Sequence, residues 1–196
     1  MNKDLIVHLI EGRKHGYARA DDVYVPNDLG DLQALHETDD FRYVDVYFDG
    51  IVTERGPEVM VTAGYTDPEN SITSGPFELL PGQSWDVFSG REILTEKGSK
   101  LGIKVNYGGN ASLDHKEKVY GFLRMLMDQS LVDGLPTRVP NGVLDHKNFP
   151  ELRGFASTTG NLEEVGTLEQ TVVFSLLGSP VYHEKSFSHI TGMDKI

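Results

Sequence analysis

Apolar and polar side chains alternate from Phe41 to Asp49, sending Val44, Val46 and Phe48 to one side and Tyr43, Asp45, Tyr47 and Asp49 to the other. That period of two belongs to a pleated strand. Gly56-Pro57 then turns the chain into a second alternating run, with Val59, Val61, Ala63 and Tyr65 on one face. A third run places Leu101, Ile103, Val105 and Tyr107 in the same order. Helical spacing replaces alternation between Asp114 and Leu131, where Val119, Phe122, Leu123 and Leu126 form a stripe widened by Tyr120, Met127 and Leu131. Asp114 and Glu117 have the spacing of a capping box at its start. Leu5, Ile6, Leu9 and Ile10 predict a shorter helix over residues 2–14.

The strand pattern is written twice. Asp45-Val46-Tyr47-Phe48-Asp49-Gly50 with Thr53-Glu54-Arg55-Gly56 reappears as Asp86-Val87-Phe88-Ser89-Gly90 with Thr95-Glu96-Lys97-Gly98. Each copy reads as a strand, a turn near T-E-[RK]-G and a returning strand. The returning strands match in register, whereas the first strand of the second copy has lost one residue, which reverses side-chain faces unless a bulge absorbs it. A fainter third copy follows Thr171–Leu177, turning at Gly178 toward Phe187. The stretches Thr66–Ser84 and 132–154 carry turn residues and little periodicity, and loops of that length are where a mouth or lid is expected. The segment before Phe41 reads as loop, with a strand at Val23-Tyr24-Val25.

These elements predict a single α+β domain over residues 1–196. Its center is a curved antiparallel sheet built from repeated hairpin units, with the longer amphipathic helix and the short N-terminal helix packed on it. A chain of 196 residues is long enough to bury a core without staples. The absence of cysteine excludes disulfides, thiolate metal sites and cysteine nucleophiles. Thirty acidic residues against 18 basic ones leave a net charge of -12, which disfavors direct nucleic-acid binding. No apolar run is long enough to cross a membrane and none at the start resembles a signal peptide, so a soluble cytoplasmic protein is expected.

Catalytic signatures are not evident. The chain lacks G-x-S-x-G, G-x-x-x-x-G-K-[ST] and G-x-G-x-x-G, and His36-Glu37 and His183-Glu184 do not extend to H-E-x-x-H. His183 and His189 would lie ~20 Å apart on one straight strand, too far to share a metal. No metal site and no cofactor are therefore predicted. The most suggestive constellation is the face formed by Tyr43, Asp45, Tyr47 and Asp49, with Trp85 beside Asp86 in the related position of the second copy. Aromatic rings beside carboxylates suit a pocket for a cationic or polyhydroxylated small molecule. The same face would otherwise be the wet side of an antiparallel sheet.

Several short motifs resemble a bacterial domain family of unknown function that occurs alone or behind helix-turn-helix regulator domains. They are Tyr17-Ala18, the Tyr43–Gly50 strand, Gly56-Pro57-Glu58-Val59 or Gly90-Arg91-Glu92-Ile93, Asn106-Tyr107-Gly108-Gly109, Phe122-Leu123 and the loop Pro136-Thr137-Arg138-Val139-Pro140. The chain departs from that pattern by a segment inserted around residues 57–84 and by Val165-Gly166-Thr167-Leu168-Glu169 in place of Phe-x-Gly-x-Glu. The family supplies no catalytic residues. Two function classes remain open: a non-enzymatic module sensing a small molecule or engaging a protein partner, and an enzyme using Asp45, Asp49, Glu92 or His146. An exposed sheet edge offers a route to a homodimer.

Overall fold

Alternation along the chain becomes pairing between strands in the computed structural model, which describes residues 25–26, 32–37, 39–48, 51–55, 58–63, 72–78, 85–98 and 101–192. The strands in chain order are β1 (Val25–Pro26), β2 (Leu32–Glu37), β3 (Phe41–Phe48), β4 (Ile51–Arg55), β5 (Glu58–Ala63), β6 (Ile72–Glu78), β7 (Trp85–Glu96), β8 (Leu101–Ser112), β9 (Gly142–Leu144), β10 (Leu152–Asn161), β11 (Thr167–Leu176) and β12 (Ser179–Gly192). Helix α1 spans Lys116–Val132, and the one-turn α2 spans Leu162–Val165. Nine strands form one antiparallel sheet in the order β1-β2-β3-β7-β8-β12-β11-β10-β9, and β4-β5-β6 form a second. The antiparallel sheet with one longer helix matches the expected class. The predicted N-terminal helix lies outside the described residues.

The strand pairing departs from the sequence expectation in three places. The segment read as loop before Phe41 contains β2, paired with β3 from Leu32↔Tyr47 to Glu37↔Arg42. Another long loop, Thr66–Ser84, contains β6, which completes the smaller sheet. The two copies of the repeat are also not equivalent units of one sheet. In the first copy the chain leaves β3 and starts β4 in the other sheet, whereas β7 runs through Gly90 as one strand of 12 residues.

Pairing from β3 to β11 fixes the faces of the large sheet. Tyr43, Leu94, Ile103 and Ile190 form one cross-strand row, and Glu92, Val105, Ser188 and Leu168 form the next on the same face. Helix α1 packs on this inner face. Its expected stripe is buried as predicted: Val119, Phe122, Leu123, Leu126, Met127 and Leu131. The capping box does not form, because the chain enters through a 3-10 turn over Leu113–His115 and the N-cap His115 makes no side-chain cap bond.

Beneath α1 lies a run of aromatic rings. Phe88 stacks on Tyr182 at 5.6 Å, and Tyr182 stacks on Phe174 at 4.7 Å, while Phe122 meets Phe174 edge-on at 4.9 Å. A register shift opposite Phe174 and Ser175 lets both Val181 and Tyr182 of β12 enter this core. Burial on β8 is unbroken from Gly102 to Ser112, and both α1 and the smaller sheet lie against that strand.

Glycine makes room for the rings. The Tyr107 ring lies across Gly90 so closely that a Cβ there would sit 2.2 Å from it, and Phe174 covers Gly154 in the same way, at 2.6 Å. Such glycines are required by a ring that folds over the neighboring strand. Gly90→Ala is therefore expected to lower stability by about 1–3 kcal/mol through overpacking. Urea denaturation should show a reduced midpoint; an unchanged midpoint would mean that Tyr107 does not occupy this position.

Candidate functional site: an arginine buried between two glutamates

The end of α1 creates the site. Gly134 adopts φ +66, Leu135 N donates to Ser130 O at 2.9 Å and Gly134 N donates to Leu131 O at 3.2 Å. This closing pattern stops the helix and turns the chain back over the sheet. Pro136 and Pro140 then bracket Thr137-Arg138-Val139, a segment that cannot pair as a strand at the prolines. Side chains hold it instead. The buried Ser130 hydroxyl donates to Thr137 O at 2.6 Å. Gln170 of β11 binds Val139 at two points, accepting from its N at 3.1 Å and donating to its O at 2.8 Å.

Pinned in this way, the segment drives Arg138 onto the inner face, where it is only 6% exposed. Its Nη1 pairs with Oε1 of Glu92 on β7, and its Nε lies 2.7 Å from Oε1 of Glu184 on β12. The guanidinium carbon sits 4.4 Å from the Tyr107 ring centroid, within cation–π range. Glu184 also accepts from the Tyr182 hydroxyl. Burial raises the Tyr182 pKa well above its ordinary value, the Glu184 carboxylate adds to the rise by charge and hydrogen bond, and Arg138 opposes it. The phenol therefore stays protonated and donates.

Two carboxylates share one guanidinium here, and Glu92 and Glu184 are 2% and 1% exposed. Continuing along this face, Ser186 and Ser188 are also buried, and Ser186 Oγ has no hydrogen-bond partner among the described residues. A polar row of this kind is costly in a core that serves stability alone.

The residues singled out in the sequence are distributed unevenly. Tyr43 is on the inner face, buried with Phe41, Leu94, Ile103 and Val105 rather than wet. Asp45 is the register partner of Glu92, and Tyr47 that of Gly90. Asp49 lies outside the described residues. Trp85 pairs with Ser112 and so falls on the opposite face from Tyr43, because the pleat alternates and Asp86, not Trp85, shares the row of Ala111. The expected grouping of Trp85 with Tyr43 is thus not made. His146 follows β9, six strands from β3 in the sheet order, and its Nδ1 accepts from Asn148 N at 3.1 Å within a turn.

Glu184, Tyr182, Ser186 and Gln170 were not anticipated from the sequence. On β12, polar residues occupy both parities, so no period points to either face. Arg138 was visible only as part of the Pro-bracketed loop. The opposite face carries Arg91, whose Nε donates to Asn106 Oδ1 at 2.9 Å, together with His183 and His189. These histidines lie on one continuous strand, and no group of metal-ligating side chains occurs among the described residues. No described helix is long and apolar enough to cross a membrane. Burial and then the Lys185 charge lower the His183 pKa to about 4, while burial, Lys104 and Arg91 lower that of His189.

Removing the guanidinium should strand two buried carboxylates. Arg138→Ala is expected to cost about 3–5 kcal/mol, and Glu184→Gln in the same chain should recover part of the loss. A double-mutant cycle in urea measures this coupling, and strictly additive effects would refute it. His183 has a depressed folded pKa, so its contribution is fully present above pH 6.5 and is lost as pH falls toward 4. The upper limit is about 3 kcal/mol. His183→Gln should flatten the pH–stability curve in that window, and an unchanged slope would count against the buried neutral imidazole.

Neither a protein-family model, nor a curated protein, nor a solved structure matches the chain.

Proposed function

We propose that the protein is a non-enzymatic sensing module that binds a small polar molecule on the inner face of its large sheet. One observation carries this reading. Ser186 is 1% exposed, and its hydroxyl has no hydrogen-bond partner among the described residues. Desolvating a hydroxyl without a partner costs about 1–3 kcal/mol, a loss that a ligand making that bond would offset. Ser188, Glu92 and Glu184 extend the same polar surface.

The motif resemblance to a domain found behind helix-turn-helix regulators suits a sensing role. Catalysis is the weaker reading, because Glu92 and Glu184 both hold Arg138 and His146 is engaged in a turn at the far end of the sheet. A protein-interaction role draws support from the exposed cross-strand row Val143, Phe155 and Val173.

Ser186→Ala separates stability from binding. The free variant should melt at or above the parent's temperature, because it removes an unsatisfied buried group. In a thermal-shift screen of small polar metabolites, at least one compound should raise the parent's melting temperature and raise that of the variant less. Either a parent that responds to nothing or a variant that responds equally would overturn the reading.

A further inference from the structure

A cleft of about 360 Å³ opens between the Pro136–Asn141 segment and the β10–β11 edge of the inner face. Its polar lining consists of Thr137, Asn141, Thr158 and Asn161, with Pro136 and Leu168 supplying apolar surface. Among the described residues, no charged side chain lines it. Hydroxyls and carboxamides both donate and accept hydrogen bonds, so this lining complements a ligand whose own groups do both. Among the described residues, a carboxylate or phosphate would find no cation here, and an amine no anion.

The lining is already ordered. The Thr158 hydroxyl donates to Asn141 Oδ1, and Gln170 Nε2 approaches Asn141 Oδ1 at 3.3 Å and Thr158 Oγ1 at 3.4 Å. Gly160 has φ +86, and a Cβ there would come within 2.7 Å of Thr167 O, so the position carries no side chain into the cleft. Register connects the cleft to the proposed sensing face: Thr158 and Gln170 share a row with Ser186, and Gly160 and Leu168 share one with Ser188. The unpartnered Ser186 hydroxyl thus lies on the same face, one strand beyond Gln170.

We infer that this cleft is the mouth of the sensing site and that its ligand is a small neutral polyhydroxylated molecule, a monosaccharide or sugar alcohol. This rests on the ligand-sensing reading and names its ligand class. A ring hydroxyl replaces the Thr158–Asn141 bond with bonds of its own, and others meet Thr137 and Asn161. Gln170 braces Asn141 and Thr158 on one side and Val139 on the other, so an occupied cleft stiffens the segment that carries Arg138.

Saturation-transfer NMR on the full chain tests this with millimolar glucose, galactose, ribose and myo-inositol, alongside putrescine and acetate. At least one polyol should bind, and neither charged compound should. Thr158→Val should weaken polyol binding about three- to tenfold, the worth of one hydrogen bond, while Thr158→Ser retains it. The ligand should also slow hydrogen exchange at Val139 N–H. Binding by putrescine or acetate alone would overturn the polyol assignment and leave the sensing reading standing. Polyol binding that ignores Thr158→Val, in a variant with parental circular dichroism, would overturn the cleft. Binding by none of the six compounds would overturn the inference as a whole.

Discussion

A guanidinium enclosed by two carboxylates and an aromatic ring is the interaction on which the center of this fold depends. Arg138, Glu92 and Glu184 come from a loop and two non-adjacent strands, and all three are buried. Removing such charges from water costs several kcal/mol per ion, and only close pairing with further hydrogen bonds offsets it. The Tyr182 phenol and the Tyr107 ring supply part of that compensation. Once the three charges are inside, the loop has one permissible path, because any other leaves a charge alone.

Neighboring packing follows from that arrangement. Tyr107 can lie under the guanidinium only because Gly90 leaves the adjacent strand bare. Tyr182 faces Glu184 on one side and sits between Phe88 and Phe174 on the other, so the ion cluster and the aromatic core share a residue. Helix α1 covers the aromatic part and ends at Val132, and past the Gly134 turn the loop takes over as cover for the polar part. Along the strands the inner face thus passes from the aromatic core to a polar band and then to a second apolar cluster of Phe41, Tyr43, Leu94, Ile103 and Val105.

Under the proposed sensing role, a polar interior covered by a loop rather than by a helix would couple occupancy to loop order. Gln170 is the physical link, since one carboxamide satisfies the Val139 backbone and approaches Asn141 and Thr158. Any ligand that redirects those bonds changes the restraint on Arg138 by a differential contact, which is what a sensing response requires.

Much of the local structure was legible in the sequence. The stripe of α1, the alternation of β3 and β8, and the turns at Gly98 and Gly178 were readable because near neighbors in the chain encode them: the 3.6-residue and two-residue periods and positive φ are local properties. The ion cluster was not legible. Glu92 and Arg138 stand 46 residues apart, and neither belongs to a pattern that marks it as buried. Trp85 invited grouping with Tyr43 because it adjoins Asp86, the counterpart of Asp45 in the repeat, yet pairing across β7 and β8 sends Trp85 to the other face. Local sequence determined α1 and the alternating strands β3 and β8. Tertiary structure alone decided which faces meet, because the desolvation of a charge depends on everything that surrounds it.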